Sequence, residues 1–202
     1  GAEQILCTMS TRLVAYRPED GRVLWSCGGL PCARGDLAYS SPSVADGVCV
    51  VVGGYEGPIL GVKLDAARGD VTATHRLWRH ENQPSNCGSG VFAGGDFYIP
   101  DMRGTLACFD PKTGKLHWRA RPAKGAIWSS IVQAADHLLV TNQNGTTVVF
   151  KPNRGKLDVV AQNALEEPTN STPAIAGGEV FLRTHRALYC ISTTIPPQRV
   201  VR

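Results

Sequence analysis

Residues Phe109–Trp118 read FDPKTGKLHW, and three other stretches follow the same plan: YRPEDGRVLW (Tyr16–Trp25), LDAARGDVTA (Leu64–Ala73) and FKPNRGKLDV (Phe150–Val159). Within FDPKTG, Pro111 pre-sets a turn dihedral, Asp110 accepts turn N–H groups, and Gly114 supplies a positive φ that a side chain resists. The glycines of the four stretches, Gly21, Gly69, Gly114 and Gly155, are spaced by 48, 45 and 41 residues. Such self-similarity is the mark of a repeat architecture.

A second family of turns falls between the first, at Asp46-Gly47, Gly94-Gly95, Ala135-Asp136 and Gly177-Gly178, stepping by 48, 41 and 42 residues. Each is preceded by a short run (SPSVA, SGVFA, SIVQA, TPAIA) and followed by a more apolar one (VCVVV, DFYIP, HLLVT, EVFLR). That is a hairpin signature. Each unit therefore holds four strands, A to D, with the glycine-containing turn between C and D. Helical repeats of similar length need amphipathic stretches, which are absent here, so the expected fold is all-β, a β-propeller of four-stranded antiparallel blades. No helix longer than two turns is expected. Counting strands gives about four and a half blades, with units near 1–38, 39–85, 86–127, 128–168 and 169–202; the first lacks strand A and the last lacks strand D.

Composition agrees. The chain of 202 residues is 43% hydrophobic and 19% charged, within the range of globular domains. Nothing approaches the roughly 18 apolar residues of a membrane helix, and GAEQILC at the start lacks the features of a signal peptide. The net charge of +4 is scattered along the chain rather than gathered into a basic stripe, which argues against nucleic-acid binding.

In two of the stretches a tryptophan follows the glycine by four residues, at Trp25 and Trp118. These land on strand D, where an indole can bury about 150–250 Å² against a neighbouring blade. The other two stretches carry Ala73 and Val159 there. With its turn glycine and tryptophan, ACFDPKTGKLHW resembles the tryptophan-docking repeat of PQQ-like (quinoprotein-like, BamB-like) propellers of bacterial exported type. The resemblance spans nearly the whole chain and implies a seven- or eight-bladed ring and an extracytoplasmic place, periplasmic or in the cell envelope. Against that ring, the chain is expected to be the C-terminal part of a longer protein. Its end units, with Leu6, Tyr16, Trp25, Phe181 and Tyr189, then await missing blades or a second copy to complete the ring.

A quinone enzyme of this family implies a vicinal Cys-Cys pair, carboxylate and amide calcium ligands and an Asp base. The sequence holds no Cys-Cys and no such cluster, so no cofactor is expected, PQQ with calcium being the alternative. His75 and His80 in THRLWRH do not share one face of a strand and read as an exposed strand end. Ser129, Ser130, Asp136 and His137 lie in one hairpin without a nucleophile elbow, so no hydrolase is read from them. The seven cysteines form no zinc pattern. Cys108 and Cys190 read as buried small hydrophobes, and Cys27 with Cys32 as a possible local disulfide.

Loop lengths carry the remaining signal. Units one and two have longer B-to-C or D-to-A segments, which lie on one rim of a propeller, where a repeat protein varies its binding surface. The candidate face holds Tyr39, Tyr55, Glu56, Trp78, Arg79, Arg103, Trp128, Asn144, Asn170, His185 and Arg186. Aromatics and arginine are the types that concentrate binding energy. The expected function is a non-catalytic binding or assembly scaffold for a protein or polysaccharide partner. The alternatives are a fragment of a PQQ-dependent dehydrogenase, or a carbohydrate-binding propeller using Tyr39, Trp128 and Asn170.

Overall fold

The computed structural model describes residues 3–32, 34–35 and 37–193. The first sheet is formed by β1 (Ile5–Thr8), β2 (Arg12–Tyr16) and β3 (Val23–Gly28). The second holds β4 (Ser43–Ala45), β5 (Val48–Val52) and β6 (Ile59–Lys63); after β7 (Gly69–Asp70) and the turn of helix α1 (Thr72–His75) it is completed by β8 (Arg76–His80). The third runs β9 (Val91–Ala93), β10 (Asp96–Pro100), β11 (Leu106–Phe109), β12 (Leu116–Ala120), and the fourth β13 (Val132–Ala134), β14 (His137–Thr141), β15 (Thr146–Lys151), β16 (Asp158–Ala164). The fifth has three strands, β17 (Ala174–Ala176), β18 (Glu179–Arg183) and β19 (Leu188–Ile191).

The second, third and fourth sheets are four-stranded antiparallel meanders in chain order, the blade of a β-propeller; the first and fifth have three strands of the same meander. In each of the first four blades strand C carries a register shift against strand D, between Ala15/Tyr16, Gly61/Val62, Cys108/Phe109 and Val149/Phe150. Such bulges add local twist. The only helical segment among the described residues is α1, a single turn.

The core lies between sheets. Leu13, Ala15, Trp25 and Cys27 of the first face Cys49, Val51, Leu60 and Val62 of the second. The opposite face of the second, Val48, Val50, Val52 and Ile59, meets Phe97, Ile99, Ala107 and Phe109 of the third. Tyr98, Leu106 and Cys108 then meet Leu138, Val140, Val148 and Phe150 of the fourth. Both faces of a central strand are thus buried, and β5 reads as an unbroken apolar run, VCVVV, instead of alternating.

Along the inner edge, the N–H of Ser41 donates to Ser89 Oγ, that of Ser89 to Ser130 Oγ and that of Ser130 to Thr172 Oγ1, each at 2.9 Å. This relay steps once per blade and ties each innermost strand to the next.

Several expectations need correction. Strand D of the second unit is not at Ala73 but at β8, because Val71–His75 are inserted ahead of it. The displaced segment, β7, pairs in parallel with Trp25 and Ser26 of the first sheet. Trp78, expected on the rim, is consequently the strand-D tryptophan of its blade: it is buried, and its indole N–H donates to Pro111 O at 2.8 Å. A Cβ on Gly61 would lie 2.3 Å from this indole and one on Gly114 2.5 Å, so the ring is sandwiched between two glycine backbones of adjacent blades. Trp118 makes the corresponding bond to Asn153 O at 2.8 Å, whereas Trp25 donates to Gln4 Oε1 at 2.9 Å. Gly21, Gly69 and Gly114 have φ of 69°, 65° and 74°, but Gly155 is not left-handed.

In the fourth blade Ala161 pairs with Val149 as Trp118 pairs with Cys108, so the residue in the tryptophan's place is Ala161 and not Val159. A gap of about 400 Å³ lies between the fourth and fifth sheets, lined by Leu139, Val149, Leu165, Val180 and Leu182. Leu6 and Trp25 point into the core shared with the second sheet and do not lie on an open face.

Neither histidine of THRLWRH is a free strand end. His75 meets Asp65 O at 2.7 Å and His80 meets Gly114 O at 2.7 Å. Cys27 and Cys32 are both free thiols, the first buried in the core and the second directed at Gly35 O and Tyr55 O. Cys108 is buried, but Cys190 is exposed.

Candidate functional site

In the second to fifth blades the loop between the second and third strands is tied by a backbone hydrogen bond to the segment that enters the blade. Gly54 N–H donates to Leu37 O (2.7 Å), Met102 to Ser85 (2.8 Å), Gln143 to Ala126 (2.8 Å) and His185 to Pro168 (2.9 Å). These pairs build one rim. Its turns share a mechanism: Asp101 Oδ1 accepts from the N–H groups of Arg103 (2.9 Å) and Thr105 (3.1 Å), and Asn142 Oδ1 from those of Asn144 and Thr146, both at 3.0 Å. Thr184 Oγ1 does the same for Arg186 (3.3 Å) and Ala187 (3.0 Å). A side-chain oxygen that holds amides two and three or four residues on stiffens the turn. Arg103, Asn144 and Arg186 therefore occupy one and the same apex position in three successive blades.

Four of the eleven expected residues come together. Tyr39 and Tyr55 are both exposed, with ring centroids 6.3 Å apart at 66°. Glu56, at φ 51°, donates its N–H to Ser85 Oγ (3.0 Å), and its carboxylate lies between Arg34 (3.2 Å) and Arg103 (2.9 Å). Leu37, also exposed, adjoins through its bond to Gly54. Sequence reasoning missed Arg34 and Leu37, whose loop becomes adjacent to Tyr55 only through tertiary contact.

Below Arg103, Asp101 is buried and receives Arg119 at 3.3 Å; Arg119 also donates to Gln83 Oε1 at 3.0 Å. These groups line a cavity of about 20 Å³ with Asn86, whose Oδ1 is buried without a partner.

The remaining expected residues are spread along the rim or leave it. Trp128 is exposed, Asn144 donates to Lys124 O (3.1 Å), and Asn170 Oδ1 accepts from Gln143 Nε2 (2.7 Å). His185 and Arg186 are exposed. Near them Glu167 accepts from Tyr189 (2.6 Å) and Thr184 (2.7 Å), and these two bonds, Tyr189's first, hold its carboxyl below the usual range. Trp78 lies inside the core, and Arg79 donates to Gly29 O at 2.7 Å and pairs with Glu81. The surplus length of the second unit beyond Gly69 is used by α1 in the C-to-D connection and so does not enlarge this rim.

Among the described residues, no group of three His, Cys, Asp or Glu side chains is placed to hold a metal ion. No two cysteines adjoin in sequence. No described helix is long and apolar enough to cross a membrane.

Residues 103–194 match the family model described as outer membrane protein assembly factor BamB. No curated protein matches the chain in sequence. Among solved structures, BamB from Moraxella catarrhalis is similar over 94% of this chain and 55% of its own, with a TM-score of 0.71 at 13% identity. The chain thus spans about half the length of that protein. Two computationally designed proteins are also similar. Ika4 matches over 85% of this chain and 98% of its own (TM-score 0.62, 15% identity), and Ika8 over 93% and 57% (0.66, 14%). Residues 103–194 are similar to the BamB family model, and the chain has a β-propeller fold similar to that of BamB.

Proposed function

We propose that the chain is a non-catalytic scaffold that binds a protein partner in the bacterial cell envelope through the rim around Tyr39, Tyr55, Glu56 and Arg103. The observation that carries this reading is the convergence of two exposed tyrosines, Leu37 and two arginines that share one carboxylate. Aromatic and arginine side chains around an apolar centre have the composition of an interface hot spot. The single carboxylate between two guanidinium groups leaves the patch with positive charge to spare, which suits an acidic segment of the partner. The likeness to BamB, whose family model is described as an outer membrane protein assembly factor, supports both the envelope location and an assembly role.

A photo-crosslinking amino acid at Tyr55 tests the reading, with Gln133 on the opposite rim as control. Discrete adducts from position 55, lost on Arg103→Glu, are expected; equal labelling from both positions would refute the assignment. A glycan array tests the carbohydrate alternative. Reconstitution with PQQ and calcium, followed by absorption spectroscopy, tests the dehydrogenase alternative.

A further inference from the structure

We propose that Cys87 and Met102 form a binding site for a soft monovalent cation of the copper(I) class. Cys87 lies in the segment that enters the third blade, and Met102 in the loop between β10 and β11 of that blade. Their sulfurs are 3.6 Å apart. Both side chains are half-buried and so remain open to a dissolved ion.

The backbone holds the two sulfurs together. Met102 N–H donates to the carbonyl of Ser85, just ahead of Cys87, at 2.8 Å. On the other side of Cys87, Ser89 N–H donates to Ser130 Oγ at 2.9 Å, and the neighbouring Asn86 Nδ2 donates to Gly88 O at 3.1 Å. The chain is thus anchored on both sides of the thiol and at the amide of the thioether residue.

Geometry, ligand type and charge agree on the ion. Half the 3.6 Å separation divided by the bond length is the sine of half the angle at the metal, so metal–sulfur bonds of about 2.3 Å give about 103°, near the tetrahedral value. A thiolate with a thioether is a soft pair, which favours copper(I) over oxygen-seeking cations. The thioether also sets this site apart from the His, Cys, Asp and Glu clusters that are absent among the described residues. Burial raises the Cys87 thiol above its ordinary 9.0, so the side chain is neutral near neutral pH. On binding, the S–H bond breaks, its proton passes to solvent and an S–metal bond forms, while Met102 Sδ donates a lone pair. A monovalent ion exchanged for a proton leaves the charge of the site unchanged; a divalent one leaves a positive charge in a half-buried place.

Met9 and Met102 are the two methionines of the chain, so a sample isotope-labelled at its methionine methyls gives one signal from each. Met9 is 44% exposed and serves as the internal control for unspecific thioether binding. Silver(I), a diamagnetic soft monovalent ion, is the probe, added stepwise and followed by heteronuclear NMR. The Met102 methyl is expected to shift while that of Met9 stays in place, and Cys87→Ser is expected to abolish the shift. Zinc(II) is expected to leave Met102 unmoved, and an equal shift with zinc would contradict the soft-ion assignment. The comparison of the two methyls within the unaltered chain needs no variant. Both methyls moving in step, a Met102 signal unmoved once exposed thiols such as Cys190 are saturated, or a shift that survives Cys87→Ser would overturn the proposal and leave the two sulfurs as a packing contact.

Discussion

Trp78 illustrates how a single side chain is positioned by what is missing around it. Its indole fits because Gly61 and Gly114 carry no Cβ, and Gly114 also sits at φ 74°, where an L side chain is strained. Trp78→Ala is expected to cost about 3–5 kcal/mol, as truncation of a buried aromatic does, and more than Trp118→Ala, whose ring is only partly buried. Urea melts that rank the two in reverse would contradict this packing. The buried thiols give a residue-level pH dependence. Burial pushes Cys49 from an ordinary 9.0 up to about 12, and Cys27 up to about 11. Both are neutral in the folded chain while the unfolded chain ionises them first, so stability is intact below about pH 9 and falls as pH rises toward 12. Melts in alkaline buffer should show the fall, and Cys49→Ala should reduce it.

At the scale of elements, the second blade's C-to-D connection reaches back to clamp the first. Val71 N–H donates to Ser26 O (2.9 Å) and Thr72 Oγ1 accepts from Gly28 N–H (2.8 Å). This covers part of the outer edge of β3, a strand that would otherwise present unpaired amides. Thr72→Val removes the acceptor and should cost about 1–2 kcal/mol, with faster hydrogen exchange at the Gly28 amide as its local readout. The fourth blade shows the converse, an element lacking its filler. Ala161→Trp is expected to occupy the gap toward the fifth sheet and stabilise by about 0.5–2 kcal/mol; a lowered melting temperature would show that the gap does not accept an indole.

For the whole molecule, stability is laid down between neighbouring blades, and the ends of the series are therefore its weak points. Leu188 and Ile191 of the fifth sheet are 68% and 50% exposed, and Ile5 at the other end is 50% exposed. The outer edge of β19 and the inner edge of β1 are open among the described residues. At micromolar concentration the isolated chain is expected to associate, with light scattering giving a mass above the 21.6 kDa of one chain. A monodisperse, cooperatively melting monomer would show that these ends are satisfied within the chain.

The local chemistry of turns was legible from residues alone. Asp-Pro-x-x-Gly and the glycine pairs act over four or five positions, so their periods of 41 to 48 residues were enough to define four-stranded units and an all-β propeller. The same holds for the rim, since the loops that bear Tyr55, Arg103, Asn144 and Arg186 follow from strand order. Registration beyond an insertion was not legible. Counting four residues from Gly69 leads to Ala73, and only the pairing of Gly61 with Trp78 shows that the strand starts later, although the likeness of RLW to VLW in the first unit was an available hint. Nor could spacing place Arg34 beside Glu56, or Cys27 against Cys49 rather than Cys32. Those neighbours belong to different loops and blades, and their proximity is decided by how sheets stack, a long-range packing outcome that no local period encodes.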